Sequence, residues 1–577
     1  MTIRHFAAAG LIAVLAACHA KSSADTVALS STDVDTVEAT EVCTSDYATI
    51  EITPEAVRMA DSVLATLSVD ERIAQLFVPR LDIKADAAGY ANIKTIMSDY
   101  GMGGILFGKG TIDTYAKLLN YTREHSKIPP MVTFDGEWGL AMRIPDAPRF
   151  PYAMALGATR RPDLMEAYGR EVARECRLMG VQVNFAPDLD VNSNPGNPVI
   201  GHRSLGGDAE NVGQLGAAYC IGMSRGNVMT VGKHFPGHGD TSVDSHKALP
   251  TVDHSTDQMT ATDMLPFKIC IEAGMPAVMT GHLRVPALDP TGTPASLSPA
   301  ITEGWLRDTL QFKGLIFTDA LAMKGATDDR NNNCVSALLA GADLLLGSGA
   351  PVTDYKAVKK AVADGLISAD TITARCRRVL IYKYALNCHK APHLDGASLK
   401  KELETADCTS LIDSLCTAAI TMLSNRSAIL PLRDGAAEVV VIGSGADAFI
   451  EVVKAARPNY KIHQVNQSTP LSAATRKAIA TGNTVVVIAS ADAWAVNAYK
   501  TALAANPDLC AVFLTNAYRL SKFPATEAGA VIVTYDCFPA MARAAARAVL
   551  GEAPISGRMP VDVPGRASIG LGITFIP

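Results

Sequence analysis

From about residue 52 the chain alternates two patterns. Short, continuous apolar runs are separated by longer stretches whose apolar positions recur every three or four residues. The runs are Gln75–Leu81, Gly103–Gly108, Pro130–Glu137, Gln182–Asp190, Val228–Phe235, Ala277–Val285, Gly314–Met323 and Ala342–Gly349. Segments this short, apolar at consecutive positions, fit strands buried on both faces of a parallel sheet. The stretches between them, such as PDLMEAYGREVARECRLMG, carry the helical period. Eight strands alternating with helices predict a (β/α)8 TIM-like barrel over residues 52–385.

A helical, charged connector is expected over 386–425, followed by a smaller α/β sandwich domain over 426–577. Its strands read as Glu438–Gly445, Asn483–Ser490, Ala511–Asn516 and Ala530–Asp536, an open parallel sheet. GSGADA follows the first of these. The full G-x-G-x-x-G spacing is missing, so a tight turn into a helix is the simpler reading than a dinucleotide site.

The first fifty residues break the pattern. Arg4 and His5 precede an apolar run that is too short to span a bilayer and ends in LAAC at Cys18. Residues 1–18 resemble a bacterial lipoprotein signal whose Cys18 is acylated; an ordinary secretory signal is the alternative. Residues 19–51, rich in Ser, Thr, Ala and Asp, read as a flexible tether. The expected location is therefore the cell envelope, with the protein lipid-anchored to a bacterial membrane and touching it through the anchor only.

Composition narrows the partners. The 577 residues are 48% hydrophobic and 19% charged, with a net charge of −6. That lacks the basic footprint of a nucleic-acid binder. Twelve cysteines are scattered without a C-x-x-C, which argues against zinc ribbons and thioredoxin-like motifs. A monomer without cofactor or metal is expected.

Chemistry in such a barrel sits at the C-terminal ends of the strands. Unusual polar residues fall there repeatedly: Asp135 after the third strand, Asp188 and Asp190 after the fourth, then His202 and Arg203. Lys233 and His234 end the fifth strand, His282 the sixth and Asp319 the seventh. Asp319 stands alone in the apolar LIFTDALAM. A carboxylate there must face a pocket or carry an uncompensated burial cost, as nucleophile, base or ion-pair partner.

KHFPGHGDTSVDSH, Lys233 to His246, has three readings. A metal cage would use His234, His238, Asp240 and His246, but the spacing matches no metal motif. A phosphate cradle would want a glycine turn opening a helix, whereas this stretch continues as a polar loop. The acid/base reading explains more. Asp244 lies two residues before His246, so its carboxylate can fix the imidazole tautomer and favour the protonated form.

With FTDALAM, FDGEWGLAMR and the NFAPDLDVN…IGHRSLGGD stretch, this loop resembles glycoside hydrolase family 3, in its β-N-acetylglucosaminidase branch. The resemblance covers about residues 55–385 and extends more weakly to PISGRMPVDVP (Pro554–Pro564) in the second domain. It implies Asp319 as catalytic nucleophile, His246 as general acid/base and Asp244 as its partner. It implies sugar-gripping roles for Asp135, Arg143, Arg203, Lys233 and His234. His238, Asp240 and His282 receive no role. One departure is FDGEWGLAMR, where many bacterial relatives have a His–Glu–Gly–Gly pattern after the Asp; its Trp138 offers either a stacking surface or simple packing.

The implied reaction is retaining and exo-acting, releasing terminal β-linked N-acetylglucosamine from oligosaccharides or peptidoglycan fragments through a glycosyl-enzyme on Asp319. Hydrolysis is expected, with phosphate as a less favoured acceptor than water. A broader β-glycosidase of the same family is one alternative. An inactive, anchored sugar-binding protein is the other.

Overall fold

The computed structural model describes residues 50–327, 331–426, 428–432 and 435–577. The lipobox Cys18 and nearly all of the 19–51 tether lie outside the described residues. Among the described residues no helix is long and apolar enough to cross a membrane.

All eight barrel strands form where the apolar runs place them. They are β1 (Phe77–Val78) with β2 (Arg80–Leu81), β3 (Gly104–Phe107), β4 (Met131–Phe134), β5 (Val183–Asn184), β6 (Met229–Phe235), β7 (Ala277–Thr280), β8 (Leu315–Thr318) and β9 (Leu345–Leu346). The first strand is split at Pro79, which lacks an N–H for the ladder. Its first half pairs with β9 and its second half with β3, both parallel. Strands β2 to β8 form one seven-stranded sheet in sequential order. A parallel bridge from Phe317 to Leu344 joins β8 to the β9 side, so the sheet curls round and meets its own start. Phe185 and Phe317 meet edge-on inside, with ring centroids 5.5 Å apart. The two rings fill the barrel interior there, as in a packed barrel core.

Helices between strands cover the outside. Helix Pro162–Leu178 starts on a proline, buries Met165, Tyr168, Val172 and Cys176, and carries Arg177 in its last turn. Nine of the ten described cysteines are buried thiols and none of the ten is paired.

The second domain departs from expectation at its edges. Its sheet has six strands in the order β10-β15-β14-β13-β11-β12. These are β10 (Thr421–Asn425), β11 (Ala437–Ile442), β12 (Lys461–Val465), β13 (Asn483–Ile488), β14 (Cys510–Phe513) and β15 (Ala530–Val533). Strand β10 lies within the residues read as connector and pairs antiparallel with β15, so the sheet is mixed. The connector itself is helical, at Gly396–Leu403 and Ala406–Ala419. Gly443 and Gly445 both hold positive φ in the turn before helix Asp447–Ala456, which makes GSGADA a tight glycine turn.

The two domains share a core. Helix Ala153–Thr159, inserted after β4, is buried throughout and packs Met154, Ala155 and Ala158 against the second domain's cluster. Arg149 pairs with Asp536 just beyond β15 at 2.9 Å, its guanidinium lying over the Tyr152 and Phe538 rings. The backbone N–H of Gly207 donates to the Pro560 carbonyl, and that of Arg558 to the Ala158 carbonyl.

Candidate active site

The strand ends open on one cavity of about 520 Å³. Its lining includes Asp135, Arg143, Arg203, Lys233, His234, His246 and Asp319, so seven residues singled out from the sequence meet in one space. Asp244 stands behind His246. Glu137, which the sequence reading left without a role, lines the cavity too.

Asp319 follows β8 directly. Its N–H donates to the Thr280 carbonyl on β7, and its Oδ1 accepts from the Ala320 N–H at 2.7 Å. Burial opposes its ionisation, but His282, His234, the Ala320 N–H and Lys233 outweigh that and hold the carboxyl below its usual range. Burial also keeps both histidines below their usual pKa, His234 at about 4. Near neutral pH the lasting support is therefore the Ala320 N–H and the Lys233 charge.

The floor is a charge network. The Arg203 guanidinium meets Glu137 bidentately, at 2.9 and 2.8 Å. Lys233 Nζ lies 2.7 Å from the same carboxylate and 3.7 Å from Asp135, and Asp135 pairs with Arg143 at 2.6 Å. Burial pushes Glu137 up, yet Arg203 and Lys233 hold it well below the carboxylate range. The loop carrying Asp135 and Glu137 is clamped from β5: Asn184 accepts from the Gly136 N–H and donates to the Gly136 carbonyl. Tyr168 donates to the Glu137 carbonyl from helix Pro162–Leu178.

The histidines point to separate partners. His234 Nδ1 donates to Asp190 at 2.6 Å, which leaves Nε2 as acceptor for Arg203 at 3.4 Å. The His238 N–H also donates to Asp190, while the His238 ring meets Thr241 and Ser245. Asp240 faces His254, and His282 is held between Ser296 and the Ala320 carbonyl. The four donors of the metal reading, His234, His238, Asp240 and His246, are thus engaged in different directions and do not converge. Asp188, Asp190 and His234 do come together, with Arg203 lying 3.5 Å from Asp188.

His246 stands apart at the cavity mouth, its side chain 65% exposed. Asp244 Oδ1 accepts from both its backbone N–H and its Nδ1. The free ring atom is Nε2. Trp138 packs edge-on against Tyr152 at 4.9 Å and lies outside the cavity lining, which favours packing over sugar stacking.

The profile of the glycosyl hydrolase family 3 N-terminal domain matches residues 68–381, more than half of the chain. The chain belongs to glycosyl hydrolase family 3. Three relatives place it within that family. Beta-hexosaminidase A of Pseudoalteromonas piscicida is 32% identical over 386 residues, spanning 61% of this chain and 64% of that protein. The beta-N-acetylglucosaminidase/beta-glucosidase of Cellulomonas fimi is 24% identical over 87% of this chain and 95% of its own length. The solved structure of a family 3 beta-N-acetylglucosaminidase from Paenibacillus sp. str. FPU-7 superposes with a TM-score of 0.73 at 28% identity, covering 86% of this chain and 99% of that one. The barrel followed by an α/β sandwich is accordingly the family 3 architecture.

Proposed function

We propose that this family 3 glycoside hydrolase is a retaining, exo-acting β-N-acetylglucosaminidase. The observation that carries the reading is the pairing, across one cavity, of a carboxylate held ionised at its base with a carboxylate-bound imidazole at its mouth.

In the first step an Asp319 oxygen attacks the anomeric carbon, and the bond to the leaving oxygen breaks. His246 Nε2 gives its proton to that oxygen while Asp244 holds Nδ1. In the second step Nε2 takes a proton from water, the water oxygen bonds to the anomeric carbon, and Asp319 leaves as carboxylate. Asp135, Arg143, Arg203, Lys233 and His234 supply donors and acceptors for the hydroxyls of the terminal sugar.

The broader β-glycosidase reading has one observation in its favour: the Cellulomonas fimi relative is named for both activities. Turnover of nitrophenyl β-N-acetylglucosaminide against nitrophenyl β-glucoside separates the two. Preference for the glucoside overturns the substrate assignment. An inactive sugar-binding protein is the weaker reading, because Asp319, Asp244 and His246 are all present in the sequence. Acylation at Cys18 and envelope anchoring rest on the LAAC motif; membrane partitioning of the wild type but not of Cys18→Ala tests them.

A further inference from the structure

The loop that carries His246 leaves β6 at Phe235 and is tied down by a histidine outside it. Asp240 sits in the middle of the loop. Its Oδ1 accepts from the Ser193 hydroxyl at 3.0 Å, and its Oδ2 lies 3.2 Å from His254 Nε2. The other nitrogen of that ring, Nδ1, lies 2.7 Å from Asp263 Oδ2. Asp263 is buried at the end of the π-helical turn Met259–Asp263. It also presses on the root of the loop: a Cβ added to Gly237 would stand 2.7 Å from the Asp263 Cβ. His254 thus joins the middle of the loop to the turn that backs its root.

Hydrogen counting shows what this clamp requires. Carboxylate oxygens only accept, so the two contacts need two hydrogens, and a neutral imidazole brings one. The second is carried as an imidazolium or on Asp263. Burial works against the charge on the ring, but the hydrogen bonds and charges of Asp263 and Asp240 outweigh it and raise the His254 pKa. Burial pushes Asp263 up to about 6, opposed by His254 and helped by the Asp240 and Asp190 charges. Among the described residues no other cation pairs with Asp240 or Asp263. The charged groups facing the clamp are therefore Asp240 from the loop, Asp263 from the π-helical turn and Asp190 from the end of β5. Loss of the second hydrogen leaves two carboxylates competing for one N–H, and Asp240 is the more distant partner.

We propose that His254 is a positioning residue for the proton transfer: by bridging Asp240 and Asp263 it holds the loop so that His246 Nε2 faces the cavity that Asp319 lines. This rests on His246 being the acid/base. His254 does not line the cavity, so it acts through the loop alone. Inside the loop the His238 ring already meets Thr241 and Ser245, and His254 adds the outer anchor.

The test uses the full chain as wild type, His254→Gln, His254→Arg and Asp240→Asn, on two N-acetylglucosaminides. One has an alkyl leaving group, which needs a proton, and the other has dinitrophenolate, which does not. His254→Gln should lower kcat/KM on the alkyl glycoside by about tenfold or more and leave the dinitrophenyl glycoside nearly unchanged. The ratio of wild type to His254→Gln should shrink as pH rises through the titration of the clamp. His254→Arg, whose charge is permanent, should recover part of the loss and keep it at high pH. The double variant His254→Gln/Asp240→Asn should lose no more than the worse single variant. Should His254→Gln fail to fold, Asp240→Asn cuts the same clamp from its exposed side and must show the same split between glycosides. Equal losses on both glycosides, additive losses in the double variant, or no loss at all overturns the proposal. If the wild type cleaves neither glycoside, or His246→Ala loses equally on both, the acid/base reading fails separately. Amide hydrogen exchange over residues 240–247 then decides the clamp: faster exchange in His254→Gln upholds it, and unchanged exchange overturns it.

Discussion

Asp244 Oδ1 accepts two hydrogen bonds from His246, one from the backbone N–H and one from Nδ1, each at 2.9 Å. One carboxylate oxygen thus fixes both the position of the residue and the direction of its ring. In a loop as open as this one, the side chain would otherwise sample several rotamers.

His246→Ala is expected to lower kcat on a poor leaving group by about 10²- to 10⁴-fold. An activated leaving group such as dinitrophenolate needs no proton and should lose far less. Asp244→Asn should fall between wild type and His246→Ala on the poor leaving group. Steady-state kinetics on the two substrates checks this. Equal losses on both would mean that the loop positions the substrate without transferring a proton.

Asp319→Asn should abolish the covalent intermediate and reduce turnover by several orders of magnitude. Intact-mass analysis after reaction with a slow fluorinated glycoside should show one added sugar in the wild type and none in the variant. Because the carboxyl is held below its usual range, the acid limb of kcat/KM should lie below that of an ordinary aspartate. A label retained on Asp319→Asn would place the nucleophile elsewhere.

Glu137 binds both Arg203, half-buried, and Lys233, buried, at the base of the cavity. Glu137→Gln leaves the buried Lys233 and the half-buried Arg203 underneutralised, a loss of up to about 3–5 kcal/mol at neutral pH. The sign with pH follows from the depressed native value. The pair's contribution is fully present above the unfolded carboxylate pKa and is lost as pH falls through the lower native one. The gap in melting temperature between wild type and variant should therefore narrow toward acid pH. A gap that stays constant down to acid unfolding would remove the ion-pair explanation.

The barrel was legible because its strands are buried on both faces and so appear as unbroken apolar runs. Strand β12 was not: Lys461, Ile462, His463, Gln464 and Val465 form an edge strand that is mostly exposed or half-buried. Strand β10 was absorbed into the connector because it follows a helix after a single residue and pairs antiparallel. The site shows the same division. Asp319 stands out as one polar residue at an apolar strand end, and Asp244 with His246 is a local pattern. Glu137 acquires its meaning only from Arg203 and Lys233, which arrive from later segments. No local pattern announces that network.

The last prediction concerns Glu175, on the helix that carries Tyr168. Its side chain is fully buried, Oε1 lies 3.9 Å from Cys408 Sγ, and Oε2 has no hydrogen-bond partner among the described residues. Burial, helped by the nearby Glu171 charge and opposed by Arg174, pushes the carboxyl up to about 8 from 4.5. The native state therefore keeps a proton that the unfolded chain releases above pH 4.5. Stability must fall as pH rises from there to about 8, by a few kcal/mol in order of magnitude, and level off above. Glu175→Gln keeps the shape of the protonated acid without a proton to lose. Its melting temperature should match the wild type near pH 5 and exceed it increasingly up to pH 8. Differential scanning calorimetry across that range tests the point. A difference that does not change with pH would mean that the carboxyl is ionised in the fold, with a cation or solvent reaching Oε2.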